Sequence, residues 1–139
     1  MKKLTFMFLI FLYLMIGCSP NNQPELTRID VESISPDETK NGEVRMIVDQ
    51  ESIRAIEKAF GDIKWEPNTK VSMAREEDVL STFFYMENKN MPERLIEYRI
   101  WFEGGTATLI SNHQNEGYGR LLNERNVRLL QNELMDDES

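Results

Sequence analysis

Residues 93–111 read ERLIEYRIWFEGGTATLIS. Ile96, Tyr98, Ile100 and Phe102 alternate with Glu97, Arg99, Trp101 and Glu103, a period of two that predicts a strand over Glu93–Glu103 with the first set inward. Gly104-Gly105 then makes a two-residue hairpin turn and sets the register of the return strand. Glu103 faces Thr106, Phe102 faces Ala107, Trp101 faces Thr108 and Ile100 faces Leu109. Apolar side chains meet apolar ones all along the inner face, as a stable antiparallel pair requires.

Working outward, Asp78–Glu87 is a β-branched and aromatic run in which Leu80, Thr82, Phe84 and Met86 share one face and Val79, Ser81, Phe83 and Tyr85 the other. With the turn-rich link Asn88–Pro92 it completes a three-strand meander. Lys64–Glu77 shows no period and reads as a long loop. Ahead of it, Asp49 is placed as a helix N-cap, with Glu51 in the first turn. Ile53, Ile56, Phe60 and Ile63 fall on one helical face, and Gly61 is expected to end the helix in a left-handed C′ position. Two strands precede it: Leu26–Ile34, and a second carrying Val44, Met46 and Val48, joined by a turn from Ser35-Pro36-Asp37 to Asn41-Gly42. At the other end Asn112–Gly119 reads as a loop, and Asn123 caps a last helix lined by Val127, Leu130 and Leu134.

The expected fold is a two-layer α+β domain in the order ββαβββα: an antiparallel sheet of about five strands with two helices on one face. Two single-striped helices cover only one side of such a sheet, so its other face is at least partly wet.

The N-terminus, MKKLTFMFLIFLYLMIGC, decides location. Lys2 and Lys3 precede an apolar run, Leu4–Ile16, that is too short for a stable span and fits the core of a secretory leader. Met15-Ile16-Gly17-Cys18 resembles the lipobox of bacterial lipoprotein precursors, with Met15 and Ile16 where Leu and a small residue are usual. The resemblance implies cleavage between Gly17 and Cys18 and a diacylglyceryl thioether on Cys18, the only cysteine in the chain. Two acyl chains hold a protein stably on a membrane where one does not. The chain therefore divides into a leader, 1–17; an acylated N-terminus and flexible tether, 18–25; one globular domain, 26–135; and an acidic tail, 136–139.

Sixteen basic against 24 acidic residues leave a net charge of −8, and loss of Lys2 and Lys3 with the leader makes 14 against 24, or −10. Such a chain is a poor ligand for nucleic acid, and anionic head groups repel it, so the lipid has to do the anchoring. With no thiol beyond Cys18 there is no disulfide framework.

Chemistry-bearing patterns are sparse. His113 is the only histidine; a Ser-His-acid set can be written from Ser111, His113 and some acid, but no nucleophile-elbow motif supports it. Asp37–Gly42 resembles the first half of an EF-hand loop, yet Val48 stands where the bidentate Glu is needed, so no metal is expected. Glu76-Glu77-Asp78 and Asp136-Asp137-Glu138 read as solvated charge, and no cofactor is expected. The outward face of the meander is the candidate partner surface, Arg99, Trp101 and Ile110, joined by Phe83 or Phe84; the alternative is that the Lys64–Glu77 loop covers Trp101.

The I-x-V-x-S-I spacing near Ile29, the VRMIVDQESI junction, the EYRIWF strand, the Gly-Gly hairpin and the late Glu-Gly-Tyr together resemble the YhfM-like domain of small lipoproteins in Gram-positive bacilli. That resemblance covers Leu26–Leu134, implies an extracytoplasmic lipoprotein facing the wall, and supplies no site residues. The expectation is a lipid-anchored, non-enzymatic module binding a protein or envelope component. The alternatives are a small envelope hydrolase and an accessory subunit of a membrane complex. In a host that makes lipoproteins, the wild-type chain should incorporate radiolabelled palmitate and Cys18→Ser should incorporate none; equal labelling of both removes the anchor.

Overall fold

The computed structural model describes residues 23–34 and 43–136. The leader, Gly17, Cys18, the Asp37–Gly42 turn and the last three residues lie outside the described residues. Seven strands form one antiparallel sheet in the order β2-β1-β4-β5-β6-β7-β3. They are β1 (Glu25–Ser33), β2 (Val44–Ile47), β3 (Lys64–Glu66), β4 (Val79–Met86), β5 (Arg94–Glu103), β6 (Thr106–Ser111) and β7 (Tyr118–Leu121). Two helices, α1 (Gln50–Phe60) and α2 (Glu124–Met135), pack on one face and touch each other.

The class is the expected one, but the sheet has seven strands where about five were expected. The two additions pair with each other, Trp65 opposite Gly119, and extend the meander at its far edge. They lie in segments that read as loops because three- and four-residue strands carry too few alternations to register. The meander itself is as expected. Glu103 pairs with Thr106, Phe102 with Ala107 and Ile100 with Leu109, and Gly104 supplies the positive φ (55°) that the tight turn demands.

Helix α1 starts where its chemistry directs: the Asp49 carboxylate accepts the Ser52 N–H at 2.8 Å. Its end differs from expectation. Gly61 is right-handed (φ −61°), and its N–H donates to Glu57 O, while Asp62 and Ile63 close a tighter turn onto Ala59 O and Phe60 O. That turn delivers Ile63 into the core just past the helix end. Helix α2 is capped by the Asn123 side chain accepting from Arg125 N–H at 3.1 Å, and buries Val127, Leu130 and Leu134.

The core between helices and sheet is built from alternate residues of each strand: Ile29 and Val31, Val79 and Phe83, Ile96, Tyr98 and Ile100, Ala107 and Leu109, and Leu121. At its centre the Tyr98 ring meets Phe83 and Phe60 at 4.7 and 5.0 Å, both nearly edge-on, the arrangement that aromatic quadrupoles favour.

The opposite face is covered over half its width. Residues 67–78 run across β5 and β6 as a strap. Arg75 makes a two-pronged ion pair with Asp78, at 2.7 and 2.9 Å, and Asp78 accepts Phe102 N–H at 2.7 Å. Trp101 lies beneath, 3% exposed, its indole N–H donating to Arg75 O at 3.0 Å.

Gly119 marks the tightest contact in the sheet: a Cβ there would stand 2.6 Å from the Trp65 ring and 2.7 Å from Ile63. Neither the ring nor the β-branched neighbour can yield far, so Gly119→Ala should destabilise the fold by about 1–3 kcal/mol, as overpacking does. Urea denaturation checks this, and Trp65→Leu in the same chain should recover much of the loss.

Candidate functional site

Tyr98 is the residue from which the site is built. Its ring belongs to the core by the alternation of β5, yet it carries a hydroxyl that burial obliges to find a partner. The partner comes from the β6–β7 loop. Ser111, the last residue of β6, lies directly opposite Tyr98. Its N–H donates to Gly117 O at 2.8 Å, and Glu116 N–H donates to His113 O at 3.2 Å, so the loop curls back on its own stem. Gly117 permits this with φ 70°, against Glu66 O, where a Cβ would stand at 3.2 Å. On the other side Asn112 is bound to Glu97 through its backbone N–H, at 3.2 Å, and its side-chain oxygen, at 2.9 Å.

The curl turns the Glu116 carboxylate back under the sheet end. One oxygen accepts the Ser111 hydroxyl at 2.6 Å and the other accepts the Tyr98 hydroxyl at 3.3 Å. Ser111 Oγ also accepts the backbone N–H of His113 at 3.0 Å. A short hydroxyl–carboxylate bond of this kind is charge-assisted and stronger than a neutral one. Beside it a cleft of about 550 Å³ opens between residues Asn68–Val71 and the loop, with Ile110, Ser111 and Gln114 on its wall.

The two phenols of this corner stay protonated. Burial, with the negative charge of Glu116 and then Glu57 nearby, pushes the Tyr85 hydroxyl up to about 12. Burial pushes Tyr98 still further in the same direction, aided by Tyr85, by the Glu116 charge and by the hydrogen bond it gives that carboxylate.

Of the residues singled out in sequence, Ser111 and His113 are brought together with Glu116, but not as a Ser-His-acid relay. The histidine contributes its main chain; its Nδ1 is buried without a hydrogen-bond partner among the described residues. Glu116 went unnoticed because it lies among polar loop residues, and only the positions of Tyr98 and Ser111 give it meaning. Of the candidate partner surface, Trp101 is roofed by the strap, Arg99 is paired with Glu77 at 3.2 Å, and Ile110 is half-buried. Phe83 points to the core and Phe84 to the other face, under the Arg28 guanidinium at 3.7 Å. Glu77 and Asp78 are likewise neutralised and not the solvated charge expected. Among the described residues no cluster of three His, Cys, Asp or Glu side chains could hold a metal ion, and no helix is long and apolar enough to cross a membrane.

No protein-family model matches the chain. No curated protein matches it either. Among solved structures, a thioesterase-like protein from Clostridium sporogenes superposes with a TM-score of 0.51 at 18% identity, over 81% of this chain and 96% of that one. The likeness is one of fold. It overturns the expectation that the domain is no enzyme. That expectation rested on the lack of a motif and a single histidine, whereas the fold is one that a thioesterase-like protein also has.

The tyrosines give a test by titration. In the unfolded chain they ionise near pH 10, in the folded one at about 12 or above, so the unfolded state releases protons first. Stability from these groups is complete below pH 10 and declines as pH rises from there through the folded values. Urea midpoints measured from pH 9 upward should fall, and Tyr85→Phe with Tyr98→Phe should flatten that fall.

Proposed function

We propose that the domain is a small hydrolase of acyl ester or thioester bonds, working at the outer face of a cell membrane to which lipid on Cys18 holds it. The hydrogen bond of 2.6 Å between Ser111 Oγ and Glu116 is the observation that carries the reading. The thioesterase-like neighbour supports the bond type, and the lipobox resemblance supports the location.

Glu116 is the base. It takes the Ser111 proton as Oγ bonds to the acyl carbon, and then gives that proton to the departing thiolate or alkoxide. Water enters by the same route: Glu116 accepts its proton, hydroxide adds to the acyl carbon, and the proton returns to Ser111 Oγ as the carboxylic acid leaves. Asn68, Lys70 and Gln114 line the neighbouring cleft and carry side-chain donors there. Tyr98 is a positioning residue. Its phenol, held neutral by burial, fixes the second carboxylate oxygen so that the first faces Ser111.

The full chain, purified in detergent with its lipid, should turn over acyl thioesters or p-nitrophenyl esters from a panel of short and long acyl groups. Glu116→Gln and Ser111→Ala should each lower kcat by about 10²–10⁴-fold while circular dichroism stays unchanged. Absence of turnover across the panel, or full activity in Glu116→Gln, overturns the reading.

A further inference from the structure

The half of the outer sheet face that the strap leaves open carries large apolar side chains. Met46 is 63% exposed, Val48 61%, Leu95 53%, and Met91, in the β4–β5 turn, 58%. Met46 shares the outer face with its partner Asp30, and Leu95 shares it with Phe84 and Arg28. Strand pairing puts Leu95 and Met91 toward one end of the sheet, with Val48 one residue past the Ile29–Ile47 pair and Met46 further in, opposite Asp30. β1 begins at that end at Glu25, opposite Met86, and β5 begins there at Arg94, opposite Tyr85. It is the end at which the chain enters from Cys18.

We infer that this apolar end is a docking surface for the lipid bilayer that carries the anchor. The inference rests on the acylation of Cys18 proposed above. The argument is one of reach. From residue 18 to residue 25 the chain spans about 24 Å at full extension, whereas a folded domain of this size is ~30 Å across. The start of β1 is therefore always closer to the membrane than the domain is wide. A surface tethered so shortly meets the bilayer at a high effective concentration, and a contact too weak to form between free partners becomes populated. Charge does not supply the attraction. Arg28, Lys89 and Arg94 stand among Glu87, Glu93 and Glu97 here, and the chain as a whole carries −8. The contact is apolar and should be insensitive to salt.

Because acylation consumes the only native thiol, single cysteines introduced at other positions can be labelled alone. Val48→Cys, Leu95→Cys and, on the solvent side of α2, Arg128→Cys would carry an environment-sensitive dye. The acylated full chain would be reconstituted in phosphatidylcholine–phosphatidylglycerol vesicles holding a bilayer-embedded spin-label quencher. Dyes at positions 48 and 95 should be quenched several-fold more than at 128, equally in low and high salt. Equal quenching at all three positions overturns the proposal. So does shielding of 48 and 95 that survives in detergent with energy transfer between copies, which identifies a second chain as the occupant. A chain that fails to float with the vesicles lacks its lipid; then the premise has failed, and the docking proposal falls with it, whatever the dyes report.

Discussion

A tyrosine at the centre of a sheet imposes a condition that an isoleucine would not. Tyr98 alternates into the core with Ile96 and Ile100, and its ring binds the two layers together through Phe60 and Phe83. The hydroxyl at the end of that ring costs free energy unless a partner reaches it. That partner is Glu116, and bringing a carboxylate to the spot requires the β6–β7 loop to double back, which in turn requires a glycine at 117 and a small residue at 111. The candidate site is thus the consequence of satisfying one buried donor. A carboxylate placed for that reason has a second oxygen to satisfy, and Ser111 meets it.

The other constraint is that two helices cover one face of a seven-stranded sheet and leave the second face to be dealt with. The chain does so unevenly. Over β5 and β6 the strap is pinned by the Arg75–Asp78 fork and the Glu77–Arg99 pair, and it hides the largest apolar side chain on that side, Trp101. Asp78 has its carboxyl held below the ordinary range; burial opposes this, but the Arg75 fork and the Phe102 N–H outweigh it. Over β2, β1 and β4 nothing comparable is seen among the described residues; there Arg28 lies on Phe84, and Met46 and Val48 are open.

What could be read from the sequence follows from how local each signal is. The Gly-Gly turn and eleven residues of strict alternation determine their register within a few neighbours, so the β5–β6 pairing came out residue for residue. Both helix caps are single-residue chemistry and were equally legible. Strands β3 and β7 were not: Lys64–Glu66 becomes a strand only because Gly119 leaves room for Trp65, more than fifty residues away in the chain. The same holds for Trp101. Its alternation placed it correctly on the outer face, but whether that face is wet depends on a loop without any period. Glu116 is the hardest case, since its role depends on Tyr98 and Ser111 meeting across two strands before the loop closes.

These constraints meet in the middle rows of the sheet. The hairpin register places Ser111 opposite Tyr98, midway along β5, and the antiparallel pairing carries that row through Ser81 of β4 to Val31 of β1. The acid–hydroxyl pair therefore sits in the row of Val31, six residues along β1 from its start at Glu25. Had β6 been one turn longer, Ser111 would still face Tyr98, but the loop carrying Glu116 would stand clear of it. In this topology a single register, set by Gly104 and Gly105, fixes the row in which Ser111 meets Tyr98, and with it the place of the β6–β7 loop that carries Glu116.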